Sequence, residues 1–349
     1  MISWHTYQLR RVSLSVSNNK LVKEETIMRI THALLLVTLF TASFEVAAQR
    51  PNRQLFPLQA YTLTEYVPIE YSEAFDMPAE FEGESYAAVA VNARGNLVIF
   101  SRGSTPFLEF TIDGEFVRSF GTEGMIRRAH GLYIEADDTI WVTDVADHVV
   151  MKLDRDGNEL MTIGTRGENG EWDETAGAHL FEQPNDIALD SAGNIYVVQG
   201  HGGANPRVLK FNSDGEFITQ WGSRGYGPGQ FWVAHAIEID ADDVLYVADR
   251  ENMRIHRFDT TGKLLGEWSF DAMVCALFLH NDGFMYMTTG FDGQLAKVDM
   301  AGRVLGAIGR PGTENGQFGE AHALTLDNEG NAYITDVINR RVQKFEKQD

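Results

Sequence analysis

Beyond residue 85 the apolar positions fall in short runs that recur in sets. Each set opens with an apolar run that leads into an Asp/Gly/Asn turn. An aromatic or β-branched run follows and ends near Asp or Gly; a basic-apolar run comes next, and a last run closes on Gly. The clearest copy is Asn185–Gly222, NDIALDSAGNIYVVQGHGGANPRVLKFNSDGEFITQWG. His235–Trp268 and His322–Phe345 repeat the plan, and further copies start at Ala87, His130 and Cys275. The first run ends at Asn92, Glu135, Asp190, Asp240, His280 and Asp327, with steps of 40 to 55 residues. Short strands bounded by turn residues at that spacing predict an all-β, six-bladed propeller. No ten-residue stretch past the leader has helical periodicity. The sixth copy stops at Phe345, after its third strand. The stretch LTEYVPIE, Leu63–Glu70, can supply the missing fourth strand and close the ring without a free edge. The expected layout is a leader over 1–48, a segment with the ring-closing strand over 49–85, and the propeller over 86–349.

A turn such as DSAGN followed by IYV, RVLKF and G-E-F resembles the NHL repeat family, and the resemblance covers residues 86–345. It implies the propeller fold but not an activity, because such propellers include enzymes and binding scaffolds.

Aligning the first position of each inner strand gives Ala87, His130, Asn185, His235, Cys275 and His322. Histidine occupies the second, fourth and sixth copies. Alternate blades of a six-fold ring are related by about 120°, so the three imidazoles are expected to meet at the axis. Ten histidines in 349 residues make such a register coincidental about once in a thousand trials, allowing for the registers available. Three imidazoles with an open fourth position fit a zinc centre; iron, copper and nickel also accept imidazole.

Composition narrows the partners. A formal net charge of −21 disfavours nucleic acid, whose phosphates need a positive face. From Met28, the expected true start, the chain reads MRITHALLLVTLFTASFEVAAQ: Arg29, an apolar run from Ala33 to Phe40, then the small residues Ala47 and Ala48. That order is a secretory signal peptide, and the run is too short for a stable membrane span. A secreted or periplasmic protein is expected, with Cys275 its one cysteine and no internal disulfide.

Loops between second and third strands lie on the face where the first strand begins. They place Arg102, His201 and Arg250 around the expected metal. Two arginines there fit an anionic substrate, most simply a carboxylate, and His201 fits a general base with a pKa near neutrality. AHGLYIEADDTIWVTDVADHVVMKLD, VADRENMRIHRF, QWGSRGYGPGQFWVAHAIEI and GQFGEAHALTLDNEGNAYITD resemble the peptidyl-α-hydroxyglycine α-amidating lyases, over most of residues 86–345. The resemblance implies zinc on His130, His235 and His322, and the paired arginines of that family on Arg102 and Arg250. Three positions depart from it. His201 stands where the family has a catalytic tyrosine. Glu320 and Ala321 replace Met-Pro before the last ligand, putting a carboxylate near the metal. Ala323 replaces the aspartate of the structural calcium site, so Ca2+ is not carried over. The expected reaction is metal-dependent cleavage of a carbinolamide, on a peptide or another carboxylate-bearing small substrate, to an amide and glyoxylate. Two alternatives stay open: a non-catalytic scaffold with a structural channel metal and a protein partner, and a propeller hydrolase or lactonase with a mixed site drawing on Glu320, Asn185 or Cys275.

Overall fold

The computed structural model describes residues 63–70, 74–202 and 205–348. The leader and its signal sequence lie outside them, and no helix among the described residues is long and apolar enough to cross a membrane. Six four-stranded antiparallel sheets are arranged as blades of a β-propeller. The first blade comprises Tyr86–Val91, Leu97–Ser101, Phe107–Phe110 and Phe116–Phe120. The next four repeat it, their inner strands being Ala129–Ile134, Pro184–Leu189, Ala234–Ile239 and Ala276–Leu279. The sixth takes Ala321–Leu326, Ala332–Asp336 and Arg341–Lys347 from the C-terminal end. Its outer strand is Tyr66–Ile69, which runs antiparallel to Arg341–Lys347 with Tyr66 opposite Lys347. The expected ring-closing strand therefore forms inside LTEYVPIE, and the third strand runs two residues past Phe345.

The turns explain why the repeats end where they do. Asp190 Oδ1 accepts from the backbone N–H groups of Ala192 and Asn194, and its Oδ2 from Tyr196 Oη. Asp240 and Asp327 make the same kind of turn. A short carboxylate that replaces backbone partners fixes each hairpin and thus the register of the strand that follows.

The second strands are continuously buried, as in Ile195–Gln199 and Leu245–Asp249. Both faces of each sheet are covered by neighbouring blades, so the strands lack polar alternation. Tyr196 and Val198 pack toward the fourth blade with Ile237 and Val247, whereas Ile195 and Val197 pack toward the second with Trp141 and Val150. Six apolar clusters result, one at each blade interface, including that between Tyr333 and Val342 of the last blade and Tyr86 and Ile99 of the first.

Five of the six inner strands carry a register shift at the aligned position: after Tyr86, Ala129, Pro184, Ala234 and Ala321. A bulge re-aims one side chain out of the pleat. In the second, fourth and sixth blades it turns the aligned histidine toward the axis. In the fifth blade Cys275 directly precedes the strand.

Candidate metal centre

His130, His235 and His322 meet at the axis. Their rings lie 4.7, 4.8 and 5.2 Å apart, centre to centre, and one ring nitrogen from each falls within 4.8 Å of the others. All three are buried. The ring hydrogen bonds set their chemistry. Nδ1 of His130 donates to the carbonyl of Asn185 at 2.8 Å, that of His235 to Cys275 at 2.7 Å, and that of His322 to Ala87 at 2.8 Å. A carbonyl only accepts, so each Nδ1 carries the proton and each Nε2 keeps its lone pair. The six aligned positions thus divide the work: alternate blades supply imidazoles, and the intervening ones supply the carbonyls that orient them.

Nε2 of His130 and of His235 is fully buried with no hydrogen-bond partner. An orphaned lone pair is costly in an apolar interior, and two beside a third imidazole fit a metal that takes nitrogen ligands. Burial, followed by the neighbouring imidazoles and arginines, holds all three histidines well below the usual histidine range. They are neutral at physiological pH, the form a metal requires.

Three carboxylates brace the segments that lead into these histidines. Asp144, Asp249 and Asp336 each follow their histidine by 14 residues and are fully buried. Asp144 accepts from the N–H of Arg128 at 3.1 Å, Asp249 from Trp232 at 2.7 Å, and Asp336 from Gly319 and Glu320 at 3.1 Å. The same positions in the other blades are Ser101, Gln199 and Thr289. This alternation matches that of the histidines and was legible in the repeat, although the sequence reading made no use of it.

The loops deliver the expected polar groups. The ring of His201 lies 4.9 Å from His130 and 5.7 Å from His235. Burial, then Arg250, Arg128 and Arg102, pushes its pKa down to about 4. It is therefore neutral at pH 7 and a weaker base than the expected near-neutral pKa implied.

Arg102 is half-buried, and its Nε donates to the Ala129 carbonyl at 3.0 Å. Burial and the repulsion of Arg128, countered in part by Glu320, lower its pKa to about 10. Its loop is held by Glu84, which accepts from Ser101 Oγ at 2.7 Å and from the Ser104 N–H at 3.2 Å. Arg250 is buried in a short 3-10 turn. Its guanidinium meets Glu251 at 2.6 Å and Glu320 at 3.8 Å. Burial raises the pKa of Glu320, and Arg250 and Arg102 oppose the shift. Cys275 is fully buried with Sγ 3.8 Å from His235 Nδ1, and burial pushes its thiol up to about 12. Asn185 reaches the site through its carbonyl, while its side-chain amide donates to Ala234 O at 2.7 Å. Neither Asn185 nor Cys275 belongs to the nitrogen cluster at the axis, and Glu320 stands with the arginines. The sequence reading did not single out Arg128, Glu84 or Glu251.

On the far side of the histidines a cavity of about 600 Å³ runs down the inner strands. Leu132, Ile237, Leu277 and Leu324 line it, together with Asp186 and Glu238, and it has no lysine or arginine in its wall.

Fold and site define the class: an NHL-repeat six-bladed propeller with an axial histidine cluster. A family described as DUF5128, 6-bladed beta-propeller, matches residues 173–303. NHL repeat-containing protein 3 of Homo sapiens is 31% identical over 202 residues, 55% of this chain and 57% of that protein. Peptidylglycine alpha-amidating monooxygenase of Rattus norvegicus is 30% identical over 322 residues, 79% of this chain but 31% of that protein. A probable peptidyl-alpha-hydroxyglycine alpha-amidating lyase of Caenorhabditis elegans is 28% identical over 270 residues, 66% of this chain and 72% of that protein. The chain thus spans 31 to 57% of the length of the first two. Among solved structures, a gluconolactonase of Xanthomonas campestris superposes with a TM-score of 0.58 at 15% identity, over 85% of this chain and 99% of that one, and shares the fold. The chain is homologous to the peptidyl-α-hydroxyglycine α-amidating lyases and to the amidating monooxygenases.

Proposed function

We propose that this propeller is a zinc-dependent carbon–nitrogen lyase that cleaves a peptidyl α-hydroxyglycine, or a similar carbinolamide bearing a carboxylate, to an amide and glyoxylate. The observation that carries the reading is the convergence of three neutral imidazoles, each with Nδ1–H bound to a neighbouring carbonyl. The lyase-named relatives support the reaction class.

In this reaction the substrate O–H and C–N bonds break, a C=O bond forms, and the hydroxyl proton ends on the departing nitrogen. His130, His235 and His322 would hold the zinc, which when bound supplies Lewis acidity toward a hydroxyl oxygen. His201 is neutral and beside His130; it takes the hydroxyl proton on a ring nitrogen and returns it to the leaving amide. The arginines of the mouth hold the carboxylate and orient the carbinolamide. Export to the periplasm or beyond is part of the proposal, carried by the leader sequence from Met28 to Ala48.

The test is metal analysis of the purified protein, followed by a glyoxylate-release assay on an N-acyl α-hydroxyglycine. His235→Ala is expected to lose both metal and turnover; a variant that keeps both overturns the reading. The depressed pKa of His201 favours one rival, a binding propeller with a structural ion. That rival predicts metal-loaded protein without glyoxylate release and with partner binding lost on chelation.

A further inference from the structure

We propose that Arg128 and Arg102 form a two-guanidinium clamp for the substrate carboxylate, and that Arg250 is a positioning residue outside it. The name of the carboxylate rests on the lyase reading; the clamp does not.

Four observations lead here. First, Arg102 reaches across from the first blade and donates to the carbonyl of Ala129 at 3.0 Å. Ala129 is the residue between Arg128 and His130, so the Arg102 guanidinium lies on the backbone that joins the second cation to the metal centre. Second, the backbone of Arg128 is pinned on both sides, by its N–H to Asp144 and by its carbonyl to the Val145 N–H. A pinned backbone lowers the ordering cost of binding. Third, the surrounding carboxylates are already committed. Asp144 accepts from the N–H groups of Arg127, Arg128, Ala146 and Asp147. Glu251 lies 2.6 Å from Arg250, and Glu320 has its nearest cation there too, at 3.8 Å.

Fourth, among the described residues neither Arg102 nor Arg128 has a carboxylate within ion-pair distance. Arg128 is exposed at the mouth and near enough to repel the Arg102 charge, and an anion that bridges the two relieves that repulsion. Arg250, by contrast, already faces two carboxylates. A third would have to displace Glu320 or share the guanidinium with it. Its role is to hold Glu320 away from the clamp.

The chemical class that fits is a small α-substituted carboxylate whose α-carbon lies toward the histidines. Glyoxylate is the simplest probe, and glyoxylamide is its uncharged counterpart. Both would be titrated calorimetrically into the full chain, metal-loaded and after chelation, so that direct coordination to a metal is separated from binding to arginine. In chelated protein, Arg128→Met and Arg102→Lys are expected to weaken glyoxylate binding about tenfold, the loss of one charge-assisted contact. Glyoxylamide binding should change less than twofold. Arg127→Met is the control: Arg127 and Arg128 are both exposed, but Arg127 is turned to Asp147 at 3.6 Å, and its loss should leave glyoxylate affinity within twofold.

Wild-type glyoxylate affinity in Arg128→Met, or an equal loss in Arg127→Met, overturns the clamp. So does abolition of binding by Arg250→Met with the other two variants unaffected. A protein that binds glyoxylate through Arg128 but releases none from a carbinolamide keeps the clamp and rejects the lyase reading. The two failures are therefore distinguishable.

Discussion

The sharpest test of how the histidines are oriented is Thr143→Val. Thr143 is fully buried. Its hydroxyl accepts from the Gly131 N–H at 2.7 Å and donates to the Asn185 carbonyl at 2.8 Å. That same carbonyl takes the proton of His130 Nδ1. Valine is close to threonine in size and removes both bonds, so the result reads the lost hydrogen bonds rather than a cavity. The Gly131 N–H is left buried without a partner, which costs about 1–3 kcal/mol. The segment has no room to relax, because a Cβ at Gly131 would sit 2.6 Å from Asn185 O. At about 2–4 °C per kcal/mol for a domain approaching this size, the melting temperature should fall by about 2–12 °C. The carbonyl that fixes the imidazole also loses its second donor, and partners of this kind change metal affinity about 10- to 100-fold. The assay is a thermal melt of the chelated protein together with zinc titration against a competing chromophoric chelator. Thr335→Val should act likewise on His322, because Thr335 donates to the Ala87 carbonyl at 3.2 Å. The fourth blade has Ala248 at the equivalent position, so His235 needs no such hydroxyl. Wild-type melting and zinc affinity within twofold in Thr143→Val would refute the reasoning.

Three further outcomes are expected. Burial and nearby cations depress the pKa values of His201 and of the three axial histidines, so the unfolded chain binds more protons than the folded one as pH falls below about 6.5; the chelated protein should lose stability between pH 6.5 and 4, where His201 titrates, and a flat melting profile across that window would contradict this. Cys275, its thiol pushed up to about 12 by burial, should resist iodoacetamide in the native protein and react fully in guanidinium; mass spectrometry of the alkylated protein reads the difference. Gly103→Ala places a Cβ 1.9 Å from the Glu84 carboxylate and should loosen the loop carrying Arg102, weakening carboxylate binding severalfold while zinc affinity stays unchanged.

The blades were legible because each one is specified locally. Asp190, Asp240 and Asp327 end their strands by accepting the backbone of the following turn, so the residue that marks the repeat also makes the hairpin. Closure by Tyr66–Ile69 was legible from the missing fourth strand. His130, His235 and His322 could be placed because one register repeats around one axis. What the sequence hid depends on two or three blades at once. The carbonyl partners of the histidines come from the next blade, and the low pKa of His201 comes from burial and then from guanidiniums on the first, second and fourth. Arg128 could not be assigned, because its neighbour Arg102 arrives from another blade. The 14-residue interval from each histidine to its aspartate was the one strong signal left unused.

Why the imidazoles alternate follows from the size and direction of the aligned side chains. Each Nδ1–H points to the carbonyl of the next blade, so that blade's own side chain must leave the space free. Ala87 and Cys275 are small enough to do so. Asn185 gives its amide to Ala234 O, one residue before the aligned carbonyl that the histidine pattern uses. Large and small residues thus alternate around the narrow end of a tapered ring, as small barrels and propellers require. A histidine at position 185 would place a further ring in the volume shared by His130 and His235. The alternation also separates two environments. One side of the imidazoles has Arg102, Arg128 and Arg250 within electrostatic reach of His201. The other is the 600 Å³ cavity, which has Asp186 and Glu238 in its wall and no cation. On the proposed reaction the carboxylate therefore enters from the arginine side, because on the far side nothing would offset the loss of its hydration.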